Sequence, residues 1–149
     1  MRGHQKRKAD RGKIDTMANI GLFGACSRDE LASLARLFDE VERPAGTVLT
    51  HEGDAGKEFY VIVDGIASAS VGGQEVATLG PGGFFGEMSL LDRAPRAATV
   101  TAQTDLTLLV ADAQSFSSLV DEAPSVGMRM MRTMSERLRT VESTPATIA

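Results

Sequence analysis

Gly82–Val100, GGFFGEMSLLDRAPRAATV, is the one long interruption in a stretch that otherwise alternates short β-rich runs with turns, and its residues suit a small anionic ligand. The pairings Gly82-Gly83 and Phe85-Gly86 let the backbone take positive φ and approach a ligand closely, because no Cβ stands in the way. Glu87 follows at once, and a carboxylate only accepts hydrogen bonds, so its natural partner is a hydroxyl pair such as a ribose cis-diol. Met88–Leu91 reads as a single helical turn whose leading amides point beyond Gly86, where phosphate oxygens could sit. Pro95 fixes the approach to Arg96, whose planar, permanently charged fork matches two phosphate oxygens. One hydroxyl acceptor, free amides and one cation together suit a sugar carrying a single phosphate charge. The alternative is an ion pair between Glu87 and Arg96 that merely closes a surface loop.

Phe85-Gly86-Glu87-Met88-Ser89-Leu90-Leu91, then three residues, then Pro95-Arg96-Ala97-Ala98-Thr99-Val100, resembles the phosphate-binding cassette of cyclic nucleotide-binding domains, as in cyclic AMP receptors and protein kinase A regulatory subunits. The resemblance continues upstream through Glu52-Gly53-Asp54-Ala55-Gly56, Phe59-Tyr60-Val61-Ile62 and Gly65, and covers about residues 20–140. It implies a regulatory module that binds cyclic AMP; the helical, methionine-faced segment from Ser115 to Val141, attached by one turn, is the part expected to move and carry the signal. By position, Glu87 would hold the ribose 2'-hydroxyl and Arg96 the cyclic phosphate, with Phe85, Gly86, Met88, Ser89, Ala97 and Ala98 completing the ligand contacts. In that family a hydroxyl residue after the arginine accompanies preference for guanine, so Ala97 implies preference for cyclic AMP over cyclic GMP. Arg129 and Arg132 are the candidate contacts on the base side. Relatives that regulate transcription carry a helix-turn-helix after the roll. The chain ends too soon for one, so nucleic-acid binding is not expected.

Upstream and downstream of the cassette, Gly- or Asp-rich turns separate runs expected as strands near Val41–Arg43, Thr47–Thr50, Phe59–Asp64, Ile66–Val71, Gln74–Leu79, Ala98–Ala102 and Leu106–Ala111. Gly72-Gly73 marks a tight hairpin. No crossover helix separates these runs, so the expected fold is mainly β with flanking helices, a jelly-roll-like β-roll. Gly53, Gly56 and Gly65 are expected to shape its turns. Ser27-Arg28-Asp29-Glu30 forms a capping-box pattern ahead of Leu31, Leu34, Ala35 and Phe38, which recur at helical spacing. After Asp112 a brief helix over Ala113–Val120 is expected, and Pro124 starts another. There Met131, Met134, Leu138 and Val141 form a stripe suited to packing on the roll, to a homodimer seam, or to a lid.

At 149 residues and 42% hydrophobic content, the chain suits one domain, placed at residues 19–142. Residues 1–18 read as a flexible basic tail, helical only near Ile14–Ile20, and residues 143–149 as a frayed end. The net charge of −4 is divided, because the first eighteen residues carry six Lys or Arg against two Asp and leave the remainder at −8, a poor surface for nucleic acid. A single cysteine, Cys26, excludes an internal disulfide framework. The absence of an apolar membrane-length run or signal-like leader makes cytoplasmic the default expectation. His4 and His51 form no His-x-His pair, and no serine sits in a Gly-x-Ser-x-Gly elbow, so neither metal, cofactor nor catalysis is expected. A ligand-free interaction module, or the same fold tuned to another nucleotide effector, is the competing function. The partner would be a second copy or an effector protein.

Overall fold

The structure, a computed structural model, describes residues 11–142, with side chains through residue 139. In chain order the elements are α1 (residues 11–18), a 3-10 turn (Gly21–Phe23), α2 (Arg28–Ala35), β1 (Asp39–Arg43), β2 (Val48–Thr50), β3 (Glu58–Asp64), β4 (Ala67–Val71), β5 (Gln74–Leu79), β6 (Phe84–Phe85), α3 (Glu87–Asp92), β7 (Thr99–Ala102), β8 (Leu106–Asp112), α4 (Ala113–Glu122) and α5 (Pro124–Glu142). The strands pair antiparallel in two four-stranded sheets, ordered β1-β8-β3-β6 and β2-β7-β4-β5. This is the β-roll with flanking helices.

Strand periodicity assigns the side chains to two cores. Tyr60, Ile62, Phe85, Leu106 and Leu108 of the first sheet meet Ala67, Ala69, Val100 and Ala102 of the second. The alternate residues of the same strands, Phe59, Val61, Leu109 and Ala111, point the other way and pack against the helices. Burial on both faces explains why β3 reads as a continuous apolar run, Phe-Tyr-Val-Ile-Val, rather than an alternating one. On the helical side Phe59 touches Phe38, Phe84 and Phe116, with ring centroids 6.3, 5.9 and 5.0 Å away.

Local signals act as the sequence suggests. Ser27 Oγ accepts from the Glu30 amide while the Glu30 carboxylate accepts from the Ser27 amide, and Leu31, Leu34 and Ala35 turn inward behind that capping box. Gly72 and Gly73, at φ 60° and 80°, make the β4–β5 hairpin with both central residues left-handed.

The expected flexible segment does not extend to residue 18. Residues 11–18 are helical, and Ile14 and Met17, one turn apart, are buried with Ile20, Leu22 and Phe23. Lys13, counted as tail charge, donates to the carbonyl oxygens of Ala35 (3.1 Å) and Phe38 (2.8 Å), tying α1 to the chain that leaves α2. Residues 1–10, with His4, and residues 143–149 lie outside the described residues.

Candidate functional site

The cassette is a loop hung between two strands and clamped from behind. β6, too short to stand out as a strand in the sequence, pairs Phe84 and Phe85 with Val61 and Tyr60 of β3, and the Phe85 ring stacks on Tyr60 with centroids 4.7 Å apart. Tyr60 donates to Glu58 Oε1 at 3.0 Å, and burial, with the Glu58 charge adding to it, holds its hydroxyl up at a pKa of about 12. Gly86 then turns the chain at φ 93° into α3. A Cβ at Gly86 would lie 2.6 Å from the Glu58 carbonyl and 2.8 Å from Arg96 Nη1, so glycine is required by both conformation and space.

At the far end, the Arg96 amide donates to Asp54 O at 2.7 Å and the Gly53 amide donates to Arg96 O at 2.9 Å. The turn over residues 52–56 thereby fixes the arginine's backbone. Its guanidinium, on a residue only 8% exposed, donates through Nη1 to Gly86 O (2.9 Å) and through Nη2 to Glu58 O (2.7 Å). Arg96 thus staples both ends of the cassette to β3 and presents its charge at the cavity wall. Gly56 owes its place to proximity as well as to the turn, since a Cβ there would lie 2.3 Å from Ser89 Cβ and 3.1 Å from Arg96 Cζ.

Phe85, Gly86, Glu87, Met88, Ser89, Arg96, Ala97 and Ala98 all line one cavity, closed on its apolar side by Ala69, Leu79 and Val100 of the roll. Glu87 is 3% exposed, and burial pushes its carboxyl above the ordinary value, against the pull of its own backbone amide, Arg137 and Arg96. The geometry does not match a loop-closing Glu87–Arg96 pair: the Arg96 fork is engaged by two carbonyls, and the ion-pair partner of Glu87 is Arg137, with Nη1 to Oε1 at 3.6 Å.

Arg137 is the residue that sequence reasoning missed. It donates to Phe84 O at 3.2 Å, sits with Cζ 4.9 Å from the Phe84 ring centroid, and lines the cavity. Arg129 and Arg132, the base-side candidates, do not line it. Arg129 donates to Gly21 O at 2.6 Å, and both arginines line a separate groove. The signal was present, because Arg137 lies two helical turns beyond Arg129 and so continues the same stripe.

The methionine stripe divides as well. Val126 and Met130 are buried and Met134 is partly buried against the core, whereas Met131 and Leu138 are 55% and 59% exposed beside the cavity mouth. Spacing alone could not tell the inward face of α5 from its neighbour, and packing on the roll uses the 126, 130, 134 row. The side chain of Val141 lies outside those described. His51 is exposed, and among the described residues no group of three or more His, Cys, Asp or Glu is placed to hold a metal ion. No helix among the described residues is long and apolar enough to cross a membrane.

The chain is 34% identical over 121 residues to a cyclic nucleotide-gated potassium channel of Mesorhizobium japonicum, covering 81% of this chain and 34% of the channel. It is 27% identical over 130 residues to a CRP-like cAMP-activated global transcriptional regulator of Mycobacterium tuberculosis, covering 84% of this chain and 58% of the regulator. The structure superposes on that of cAMP-bound PfPKA-R with a TM-score of 0.82 at 25% identity, covering 92% of this chain and 48% of the other. The chain therefore spans between about a third and three fifths of these proteins. Residues 40–123 match the cyclic nucleotide-binding domain family, and the chain belongs to that family.

Proposed function

We propose that the cavity binds cyclic AMP and that the domain is a non-enzymatic regulatory sensor. The observation that carries this reading is the convergence of two buried, oppositely charged groups, Arg96 and Glu87, on one cavity whose other wall is apolar. The cyclic phosphate takes Arg96 and amides near Gly86, the ribose 2'-hydroxyl takes Glu87, and the base lies toward the roll and α5. Nothing in this set is placed as a general base or as an activator of water, so binding rather than turnover is its chemistry. Relatives named for cyclic AMP activation and a cAMP-bound structural neighbour support the choice of ligand.

Arg137 connects the cavity to α5. A ribose hydroxyl arriving at Glu87 competes with Arg137 for the same carboxylate, and releasing or re-seating that arginine moves the helix. The exposed Met131 and Leu138 are then the surface that a second copy or an effector protein reads. A cytoplasmic sensor with one unpaired cysteine suits this role.

Calorimetric titration with cyclic AMP, 2'-deoxy cyclic AMP, cyclic GMP and 5'-AMP tests the reading. Saturable binding of cyclic AMP is expected, weaker for the 2'-deoxy analogue, and Glu87→Gln should remove that difference. No binding by any cyclic nucleotide would leave a ligand-free interaction module.

A further inference from the structure

On the other flank of α5 a groove of about 400 Å³ runs between the 3-10 turn, the β5–β6 turn and the helix. Arg129, Arg132 and Arg137 line it together with the Thr133 hydroxyl, and no carboxylate does. That is unusual in a chain with twenty acidic residues against sixteen basic ones. Two of the three forks are held by main-chain carbonyls, Arg129 on Gly21 O at 2.6 Å and Arg137 on Phe84 O at 3.2 Å, and each guanidinium has further N–H donors to offer. Gly21 and Gly82 leave open space where a side chain would project. The amides of Gly82 and Gly83 are spent on Ile62 O and Gly80 O, so recognition falls to the arginines and Thr133.

We propose that this groove is a second ligand site, separate from the cyclic nucleotide cavity, that takes a compact anion carrying two or more phosphoryl charges, such as pyrophosphate or the phosphate tail of a nucleoside di- or triphosphate. A single carboxylate would leave most of the positive charge uncompensated, and an arginine fork pairs with phosphate oxygens two at a time. Because Arg137 lines both the groove and the cavity, a guest in the groove competes with Glu87 for one guanidinium. The two sites are then thermodynamically linked, and each ligand changes the other's affinity by the same factor. This linkage, unlike the groove's own binding, rests on the cyclic AMP reading above.

The test is calorimetric titration of pyrophosphate at constant ionic strength without divalent cations. One saturable site is expected, weakened about tenfold or more by Arg132→Ala, since a charge-assisted contact is lost. Arg132 is exposed and does not line the nucleotide cavity, so the variant should keep the wild-type melting temperature and cyclic AMP affinity. At a pyrophosphate concentration that just saturates the wild type, cyclic AMP affinity should shift in the wild type and by less in Arg132→Ala. The proposal is overturned by no saturable binding, by equal affinity in the two proteins, by equal binding of sulfate, or by binding of hexaglutamate in place of pyrophosphate. Cyclic AMP binding without pyrophosphate binding sinks the groove alone, and the converse sinks the nucleotide reading alone.

Discussion

Arg137 Nη1 lies 3.6 Å from Oε1 of Glu87, so the one buried acid among the described residues is paired with a side chain of the last helix. Burial nevertheless dominates and holds the Glu87 pKa above its ordinary 4.5, with the backbone amide, Arg137 and Arg96 pulling the other way. Folded protein therefore keeps a proton at pH values where unfolded protein has released it. The stability that this protonation contributes is full below the unfolded pKa of 4.5 and is lost as pH rises through the raised folded value. Chemical denaturation of the ligand-free protein should show this fall setting in as pH rises past 4.5 when wild type is compared with Glu87→Gln, which lacks it. Arg137→Ala should carry the fall to higher pH. Parallel profiles for wild type and Glu87→Gln would mean that folding does not shift the Glu87 pKa.

Arg96→Lys keeps the charge and loses the fork. One ammonium cannot bridge Gly86 O and Glu58 O while facing a phosphate, so cyclic AMP affinity should fall by about 2–5 kcal/mol. Because the same fork staples the empty cassette, the ligand-free melting temperature should fall too. Unchanged affinity in a titration would remove Arg96 from the binding role.

Gly56→Ala places a methyl 2.3 Å from Ser89 Cβ, and the cassette must move to admit it. The expected cost is about 1–3 kcal/mol of stability, with weaker cyclic AMP binding because Arg96 Cζ is only 3.1 Å from the new atom. Gly53→Ala is the control: its φ of 88° is strained for alanine, but nothing lies within 4 Å of the added Cβ. It should lose about 1–2 kcal/mol of stability through backbone strain. Equal effects of the two variants on affinity would show that proximity at Gly56 is unimportant.

These cases mark what could be read in the sequence. Glycines, the capping box and period-two runs report local backbone preference, and they gave seven of the strands within a residue or two. The cassette was legible because its residues are contiguous and each chemical type has one evident use. Missed features are long-range. β6 is two residues long and exists only because β3 pairs with it, Ile14 and Met17 are core only because a hydrophobic surface waits for them, and Arg137 reaches Glu87 across fifty positions of chain. Which flank of α5 faces inward was set by the Val126 and Met130 contacts rather than by the spacing of Met131, Met134 and Leu138.

Ala97 lines the cavity and is exposed, so a threonine there fits without disturbing the fold. Its hydroxyl could accept from the exocyclic amine of a syn guanine, which the alanine methyl cannot. Cyclic AMP should bind the wild type more tightly than cyclic GMP, and Ala97→Thr should narrow the gap by one hydrogen bond, about 0.5–1.5 kcal/mol. Competition titrations on both proteins measure it, and a wild-type preference for cyclic GMP would refute it.

The last prediction concerns α5, whose two halves are held differently. Its first half is anchored by buried Val126 and Met130 and by the Arg129 bond to Gly21 O. Past Met130 the described side chains are mostly exposed apart from the partly buried Met134, and Arg137 fastens this half to the cassette through Glu87 and Phe84. A ligand that engages Glu87 should therefore act on the second half and leave the first in place, with the fulcrum near Met130. Such a shift requires that cyclic AMP bind one arrangement more tightly than the other, since equal affinity for both would move nothing. Amide hydrogen exchange with and without cyclic AMP should show changed protection over residues 82–100 and 131–139, and little change over residues 124–130. In Arg137→Ala, protection in the cassette should still respond while residues 131–139 no longer do. A response confined to residues 82–100 in the wild type would leave a domain that binds its ligand without passing the event to α5.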